Sequence, residues 1–435
     1  MDYKLITERF HLFAPNINIC FAVEFNKTFS DELIHEAIKT VHTIHPILRS
    51  SVRFDQEGNS FYHIEEQVKA DFTVIEISDE DEWLSIIAKE QKKEFILSRA
   101  PLIRFKLLKC NEKMFLIMCV HHILADGLSC VKILKSIVSC MNEPGQNIEQ
   151  QQPNLLEDSV LYDNEKLSSG VKLLVNMLNK KWGRSPHVFN EAGYYRMREN
   201  YWKEQSHSIE AMELNEGEVL QLKAKCKENG VTINTILITS LLKAAQIIEP
   251  RNIKAGIAVS IRPKENSIGN FASGISIIHK YRDNKSMWEN ASKIQSIVSK
   301  RLNNEKNRCF YLSFLKALNV NLLDSIHFKL FDNYKNKTTD FLAKSLGYTN
   351  EPIGCGISNL GMTDLTSELG VKRVFFAPPL VANSDKIAGA ISTDTGLRIF
   401  YQYSNQINKE MNKKIYDKWI EELKKILNWT EIEIL

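Results

Sequence analysis

Residues 119–130 read CVHHILADGLSC, and they stand between two segments with different hydrophobic patterns. The run that leads into them, residues 113–122, is apolar and rich in residues that favour strands. The run that follows, residues 128–142, has apolar residues at helical spacing. The sequence therefore predicts a strand that ends at the histidine pair and a helix that begins just after Asp126 and Gly127.

The position of the histidine pair suggests a chemical role. A histidine at the end of a strand, before a tight loop, holds its ring rigidly and exposes it to a cleft. Neutral imidazole is the usual general base near pH 7 because its pKa is close to that value. We therefore expect His122 to be a catalytic base, whereas His121 should point to the opposite side of the strand, as a core histidine would.

The residues around His122 in the sequence favour one catalytic mechanism over another. No motif places a Ser, Cys or Thr beside it, so direct deprotonation of an acceptor is simpler than an acyl-enzyme. Asp126 is too displaced in sequence to be taken as a triad partner, and we expect it to lock the loop through an ion pair. The structural alternative is that both histidines lie in the core and that Asp126 is a turn residue before Gly127.

Composition limits the class of protein. A chain of 435 residues is longer than one core usually serves, which predicts two lobes. The net charge is +3, from 56 basic and 53 acidic residues, and it gives no reason to expect nucleic acid or an anionic membrane as partner. The first residues, MDYKLITERFHLF, lack the apolar region of a secretory signal. No run approaches the roughly 18 apolar residues of a membrane helix, so we expect a cytoplasmic protein.

The eight cysteines predict a reduced protein without a zinc site. None of them forms a CxxC pair, and several lie inside apolar runs. This pattern is typical of core thiols in a cytosolic protein. The sequence also lacks a Walker A loop, GxGxxG, GxSxG, HExxH and an EF-hand loop. We therefore expect no metal and no tightly bound cofactor.

The order of predicted strands, helices and polar stretches divides the chain into three segments. Residues 1–165 are expected to form an N-terminal lobe that carries HHILADG, residues 166–204 a connecting segment, and residues 205–435 a C-terminal lobe. A polar stretch with Pro and Gly, residues 142–159, predicts an exposed connection. Residues 170–184 predict a basic amphipathic helix packed over the junction of the lobes, with contact to a membrane or a partner as the alternative.

Local patterns predict further elements in both lobes. In the first, Ser30 should cap a helix that Pro46 ends, and the runs on either side of the polar NEK should form a hairpin. In the second, the continuous apolar run at 253–263 predicts a strand buried on both faces. Residues 310–326 predict one helix, and residues 408–427 predict a closing amphipathic helix.

The motif resembles that of a known family. HHILADG is similar to the HHxxxDG signature of the condensation domains of nonribosomal peptide synthesis, and its shorter HxxxD form resembles the chloramphenicol acetyltransferase-like acyltransferases. Four other stretches agree with that superfamily: HPILR at 45–49, VSIRP at 259–263, GNFAS at 269–273 and SNLG at 358–361. The last resembles alcohol acetyltransferases and polyketide-associated acyltransferases more than peptide-forming domains.

The resemblance implies an α/β fold and a reaction. The fold has two chloramphenicol acetyltransferase-like lobes, each a mixed sheet covered by helices, which form a V with the histidine at their junction. A thioester donor, on the phosphopantetheine arm of coenzyme A or of a carrier protein, enters from one face. A small-molecule alcohol or amine acceptor enters from the other face, and His122 takes its proton.

The resemblance also assigns supporting roles. Asp126 would be structural and would need a cationic partner, for which Arg262 is the candidate and Arg49 and Arg104 are the next in order. Gly127 would permit the turn and the close approach of the donor arm. Asn359 would either donate a hydrogen bond near the reacting centre or be a strand-end turn residue. His121 would have a supporting role only.

Three functions remain open from the sequence. The first is a stand-alone, monomeric acyltransferase that forms an ester, favoured over an amide because SNLG points that way and no carrier domain is fused. The second is a condensation enzyme that forms an amide between carrier-bound partners. The third is a non-catalytic module that binds a carrier protein or a ligand. The acyl chain and the acceptor are not readable from the sequence.

Overall fold

The computed structural model describes most of the chain. The described residues are 2–145, 150–151, 167–250, 253–262, 268–348, 354–381, 384–406, 408–427 and 433–434. Most of the predicted polar connection at 142–159 lies outside these ranges, as does the predicted boundary at residue 165.

The described residues form both strands and helices. The strands are β1 Asp2–Lys4, β2 Asn18–Phe25, β3 Ser50–Phe54, β4 Ser60–Ile64, β5 Asp71–Glu76, β6 Ile103–Cys110, β7 Lys113–His121, β8 His207–Asn215, β9 Lys254–Ser260, β10 Ala272–Ile278, β11 Cys355–Met362, β12 Val371–Ala377, β13 Lys386–Thr393, β14 Gly396–Ser404 and β15 Glu433–Ile434. The α-helices are α1 Arg9–Leu12, α2 Asp31–Ile44, α3 Glu82–Lys92, α4 Gly127–Asn142, α5 Ser169–Trp182, α6 Glu191–Glu204, α7 Glu216–Glu228, α8 Ile233–Ile248, α9 Met287–Leu302, α10 Glu305–Ala317, α11 Val320–Phe331, α12 Lys337–Leu346 and α13 Lys409–Leu427. Short 3₁₀ turns lie at Pro46–Arg49 and Ser367–Leu369.

Two mixed sheets form the framework, as the resemblance implies. The first has the order β12-β2-β7-β6-β5, antiparallel except for the β5–β6 pair. The second has the order β10-β9-β11-β13-β14-β8-β15, in which β11 runs parallel to both of its neighbours. A small third sheet has the order β1-β4-β3. The predicted hairpin around NEK is confirmed, because Cys110 on β6 pairs with Lys113 on β7.

Helices cover both sheets. In the first half, α2 and α4 pack together, and α3 lies on β2 and β7. The predicted cap of α2 is confirmed, since Ser30 accepts a hydrogen bond from the backbone N–H of Leu33, and the helix ends before Pro46. In the second half, α8 packs between α9 and α13, and its flank meets β11. These layers are the α/β architecture expected from the sequence.

The chain crosses from the second half back into the first. Strand β12 pairs with β2, from Val371 opposite Phe25 to Ala377 opposite Cys20, and so completes the five-stranded sheet. Helix α11 also packs on the first half, where buried Asp324 forms an ion pair with buried Arg9. The two halves of the sequence are therefore interlocked through β12 and α11.

Two local predictions are wrong. Strand β9 is not buried on both faces: Ala255 and Ile257 are buried, whereas Ala258 is exposed, because this strand lies next to the sheet edge and packs on one side only. The single helix predicted at 310–326 is divided into α10 and α11. Asn319 causes the division, since its side chain accepts hydrogen bonds from the backbone at the start of α11 and caps a new helix.

The predicted helix at 170–184 forms as α5. Its buried side, which includes Val175 and Trp182, packs towards α12, and Asn179 donates a hydrogen bond to the carbonyl oxygen of Ala317. Leu173 on the opposite side is 71% exposed. All eight cysteines are buried and free. Within the described ranges no single helix is long and apolar enough to cross a membrane, although α7 and α8 together, bent by 91°, meet the criterion of length and composition.

Candidate functional site

The histidine pair lies where the hydrophobic patterns predict it. His121 is the last residue of β7, and α4 begins at Gly127. Asp126 is the N-cap of α4, with its Oδ1 accepting a hydrogen bond of 2.7 Å from the backbone N–H of Ser129. A capping carboxylate is favourable there because it satisfies an unpaired helix N–H and interacts well with the helix dipole. The loop from strand to helix is therefore only a few residues long.

Asp126 also binds the second half of the chain. Its Oδ1 accepts a hydrogen bond of 2.6 Å from Nη2 of Arg262, and its Oδ2 accepts one of 2.9 Å from the backbone N–H of Phe271. Arg262 follows β9 and Phe271 precedes β10, so both partners come from the other sheet. The structure thus brings Asp126 and Arg262 together. Of the two other cations considered, Arg104 pairs with Glu90 and Arg49 donates to the backbone of Glu66.

Ser129 is a second link that sequence reasoning missed. Its hydroxyl donates to the carbonyl oxygen of Gly269 at 2.6 Å and lies 3.1 Å from the backbone N–H of the same residue. Nη2 of Arg262 donates to the same hydroxyl at 2.7 Å. Its position three residues after the helix cap was the available signal. The start of α4 is consequently held to Arg262 and Gly269 by side-chain and backbone contacts.

His122 sits between two residues that the sequence did not single out. Nδ2 of Asn270 lies 2.9 Å from the carbonyl oxygen of His122 and 3.1 Å from its ring Nδ1. On the other side, the rings of His122 and His11 are stacked, with centroids 4.7 Å apart and planes 4° from parallel. Asn270 lies within GNFAS, and His11 lies in the short helix α1. The catalytic candidate is therefore oriented by contacts from both halves of the chain.

The surroundings keep His122 neutral. Burial lowers its pKa, while the backbone carbonyls of His122 and Ala125 and the charge of Asp126 raise it by smaller amounts. The pKa of His11 is lowered well below its ordinary value, mainly by burial and further by His122. Two neutral stacked imidazoles avoid the repulsion that a doubly charged pair would suffer. The deprotonated ring is the form that can accept a proton from a substrate.

His121 occupies the opposite side of the strand, where the alternation of strand side chains predicts it. Its ring is buried and meets Phe95 edge-on, with centroids 6.1 Å apart. Nδ1 accepts a hydrogen bond of 3.4 Å from the backbone of Ile123, and Nε2 has no partner among the described residues. Burial, followed by the charge of Arg198, lowers its pKa to about 3. His121 is therefore a neutral core residue.

Gly127 and Asn359 each lie against other parts of the chain. A Cβ at Gly127 would lie 2.7 Å from Cδ2 of Leu360 and 3.3 Å from the ring of Phe376. The close approach at Gly127 is thus made by two protein side chains. Asn359 accepts a hydrogen bond of 2.8 Å from the backbone N–H of Gly361 at the end of β11, as a strand-end turn residue would.

A cleft of about 660 Å³ opens beside the start of α4. The helix lines one side of it, and Arg262, Ile268 and the end of β11 line the other. Lys132 and Lys135 add positive charge, part of which Asp364 neutralises through its ion pair with Lys135. The cleft is concave and partly polar, as substrate sites are, but its lining does not include His122.

Comparison with known proteins agrees with these observations. The model of the condensation-domain family matches residues 5–158. The chain is 29% identical over 178 residues to bacitracin synthase 1 of Bacillus licheniformis, which covers 39% of this chain and 3% of that protein. The chain therefore spans only 3% of the length of that curated relative.

Solved structures extend the likeness to the whole chain. The epimerization domain from the third module of tyrocidine synthetase B has a TM-score of 0.67 at 14% identity, covering 98% of this chain and 97% of that one. The first condensation domain of the CDA synthetase has a TM-score of 0.66 at 12% identity, covering 100% and 99%. At these identities the likeness concerns the fold. The resemblance to condensation domains that HHILADG predicts is thus confirmed, by sequence over residues 5–158 and by fold over nearly the whole chain.

Proposed function

We propose that this protein transfers an acyl group from a thioester to an acceptor amine or hydroxyl, and that the donor is carried on a phosphopantetheine arm. The observation that carries the proposal is the placement of His122. Its ring stands on the loop of HHILADG, in contact with Asn270 from the second half of the chain and with His11 from the first. A reaction between two bound substrates needs such a group at the meeting point of two surfaces.

In the proposed reaction the acceptor's nitrogen or oxygen attacks the thioester carbonyl carbon, and the carbon–sulfur bond breaks. His122 takes the acceptor's proton and returns it to the departing thiolate, so that amide or ester and free thiol are the products. No covalent acyl-enzyme is required. A lowered pKa suits this role because the ring is deprotonated at neutral pH and gives its proton up readily.

The other site residues would act on the position of His122. Asp126 and Arg262 would lock the loop, since their ion pair ties the start of α4 to the backbone that follows β9. Gly127 would leave room for Leu360 and Phe376. His121 would support the strand end from the core, and Asn359 would shape the end of β11.

Amide formation between carrier-bound partners is now the favoured form of the reaction. The matching family model and the bacitracin synthase relative both point to condensation domains of synthetases, whereas the SNLG likeness to ester-forming enzymes is a short match. Ester formation from acyl-CoA by a stand-alone enzyme is the second candidate. It is supported by SNLG alone.

One assay compares these reactions. Acyl-CoA, acyl-pantetheine and an acyl-loaded carrier protein are each offered with mixed amines and alcohols, and free thiol and product mass are followed. Amide formed only from a loaded carrier protein supports the favoured form, and ester formed from acyl-CoA supports the second candidate. Binding of carrier protein without thiol release from any donor would contradict both and indicate a non-catalytic module.

A further inference from the structure

Two of the eight cysteines lie directly opposite each other on neighbouring strands. Cys20 on β2 pairs in register with Cys119 on β7, and the two strands are antiparallel. Directly opposed residues of an antiparallel pair project to the same face of the sheet, with Cα atoms about 4.5–5.5 Å apart. A disulfide needs Cα atoms about 4.4–6.8 Å apart, so these strands already hold the two cysteines at a distance that a disulfide can span.

The two thiols interact in the reduced protein. The thiol of Cys20 donates a hydrogen bond to the sulfur of Cys119. The thiol of Cys119 lies 3.5 Å from the carbonyl oxygen of Glu90, to which it donates in turn. Cys20 and Cys119 are 0% and 1% exposed, so only a very small molecule could reach them in the folded protein.

The surroundings favour a thiolate at Cys119 and disfavour one at Cys20. Burial, followed by the contact with Cys119, raises the pKa of Cys20 well above its ordinary value. Burial also opposes the thiolate of Cys119, but the hydrogen bond from Cys20 and the charge of Arg104 outweigh it and lower the pKa of Cys119. Arg104 pairs in register with Cys119 from β6, whereas Glu90 opposes the thiolate. The thiolate is the form of cysteine that reacts with oxidants.

We propose that Cys20 and Cys119 form a redox-active pair that hydrogen peroxide, a molecule little larger than water, closes to a disulfide. The sulfur of Cys119 attacks one oxygen of peroxide, the oxygen–oxygen bond breaks, and hydroxide leaves a sulfenic acid behind. The sulfur of Cys20 then attacks the sulfur of Cys119, the sulfur–oxygen bond breaks, and a second hydroxide leaves. The two thiol protons join the two hydroxides, so the thiols lose two electrons and peroxide becomes two waters.

Exposure alone would direct peroxide to other cysteines. Cys140 and Cys110 are the most exposed of the eight thiols, at 8% and 6%. Cys110 pairs in register with Lys113, and Cys140 lies on helix α4. Oxidation governed by exposure would therefore add oxygen to these two sulfurs. Oxidation governed by the facing pair gives a disulfide without added oxygen, and the two kinds of product are distinguished by mass.

The pair lies just before the histidine pair. Cys119 is two residues before His121 on β7, and the next facing residues on the same side of the two strands are Asn18 and His121. A disulfide would replace the bond from Cys119 to Glu90 and tie β7 to β2 near the end of the strand. We therefore expect oxidation to lower the transfer activity. This consequence rests on the proposed function, whereas the modification itself does not.

Mass spectrometry tests the modification without any substrate. The native, full-length protein is treated with hydrogen peroxide, the remaining thiols are alkylated after denaturation, and the protein is digested with trypsin. Trypsin places Cys20 in peptide 10–27 and Cys119 in peptide 114–132. We expect the two peptides to be joined, with a mass about 2 Da below the sum of their thiol forms, and to separate again in dithiothreitol.

Three results would overturn the proposal. The first is that both thiols stay free after treatment. The second is that oxygen is added at Cys140 or Cys110 while the pair remains reduced. The third is a bridge from Cys119 to Cys130, which lies in the same peptide and is identified by fragmentation.

Two variants separate the pair from general oxidation. Cys20→Ala removes one thiol with a small change in volume, so the joined peptides should be lost and Cys119 should gain oxygen instead. Cys140→Ala is the matched control and should form the joined peptides as the wild type does. Thermal unfolding checks that both variants fold, and the wild-type mass result holds if Cys20→Ala does not.

The transfer assay measures the consequence for the site. Oxidised wild type should be several-fold slower than the reduced protein and should recover in dithiothreitol, as should Cys140→Ala. Equal rates of the oxidised and reduced wild type would overturn the link between the pair and the site. Because the mass result needs no turnover, it is independent of whether the proposed reaction occurs.

Discussion

Nη2 of Arg262 and Oδ1 of Asp126 are 2.6 Å apart, in an ion pair that joins the second sheet to the start of α4. The two side chains are only 10% and 5% exposed. Such a pair adds little net stability, since the loss of hydration offsets much of the attraction, but the removal of one partner leaves a buried charge alone. Substitutions in this pair therefore test whether the position of the His122 loop depends on contacts between the two halves of the chain.

Asp126→Ala and Arg262→Ala should each lower the free energy of unfolding by roughly 3–5 kcal/mol and reduce activity. Asp126→Ala should be the more damaging, because it also removes the cap of α4, which contributes about 1 kcal/mol, and the bond to Phe271. The double variant should be no worse than Asp126→Ala. Urea unfolding of all four proteins measures this, with Lys135→Gln as control for an exposed pair; strictly additive losses would show that the two charges do not interact.

His122→Ala should lose about 10²–10⁴ in turnover while it folds normally, which is the usual contribution of a positioned general base. His121→Ala is the matched control, one residue away on the opposite side of the strand. It should lose less activity and more stability, because its ring is buried against Phe95. Equal activity of the two variants, measured by thiol release beside thermal unfolding, would remove His122 from its assigned role.

The pH dependence of activity should reflect the lowered pKa of His122. A base whose pKa is depressed remains deprotonated at lower pH, so the acid limb of kcat/KM should fall below the value of about 6.5 for an ordinary histidine. A profile of kcat/KM between pH 4 and 8, with stability checked at each pH, measures the limb. A limb at or above pH 7 would be inconsistent with a lowered pKa of His122.

Stability should rise with pH through the range below about 6.5. Burial lowers the pKa of His42, His207 and His327 to about 4 and that of His121 to about 3. The unfolded chain therefore binds more protons between these values and about 6.5, which favours unfolding as pH falls. Below the folded-state pKa values the full loss is roughly 3 kcal/mol for each of His42, His207 and His327 and roughly 5 kcal/mol for His121.

Glu8 changes stability with pH in the direction opposite to the histidines. Burial raises its pKa to about 7, so the folded protein holds that proton longer and loses stability as pH rises from its ordinary value of 4.5. The stability that this one carboxyl gains as pH falls is similar to what one histidine loses, so it does not offset the loss from four histidines. Chemical unfolding at pH 5 and pH 7 should therefore give the higher free energy at pH 7, and Glu8→Gln should widen that difference. Equal stability at the two values would show that the histidines are protonated in the fold.

Arg373 should matter more than its neighbour Lys372. Both pair with the buried Glu24 on β2, but Arg373 also reaches Glu213 on β8 and so links the two sheets, whereas Lys372 is half exposed. Arg373→Met should cost roughly 3 kcal/mol or more, because it leaves buried carboxylates with fewer partners, and Lys372→Met about 1 kcal/mol or less. Urea unfolding compares them, and a reversed order would argue against a link through Arg373.

Local sequence patterns were sufficient to predict the elements around the site. The apolar run before His121 and the helical spacing after Gly127 predict β7 and α4, because strand and helix patterns have different periods that can be read within a dozen residues. The same local signals predict the cap at Ser30 and the hairpin around NEK. HHILADG indicates the family and singles out His122 and Asp126.

Which distant residues meet at His122 depends on how the whole chain packs. Asn270 and His11 flank His122, yet they lie 148 and 111 residues away along the chain, and no periodicity connects them. Likewise β12 pairs with β2 across the whole sequence, a contact that depends on the packing of both halves. Helix and strand patterns show which face of an element is buried. They do not show which other element packs against that face, because this depends on how all the elements fit together.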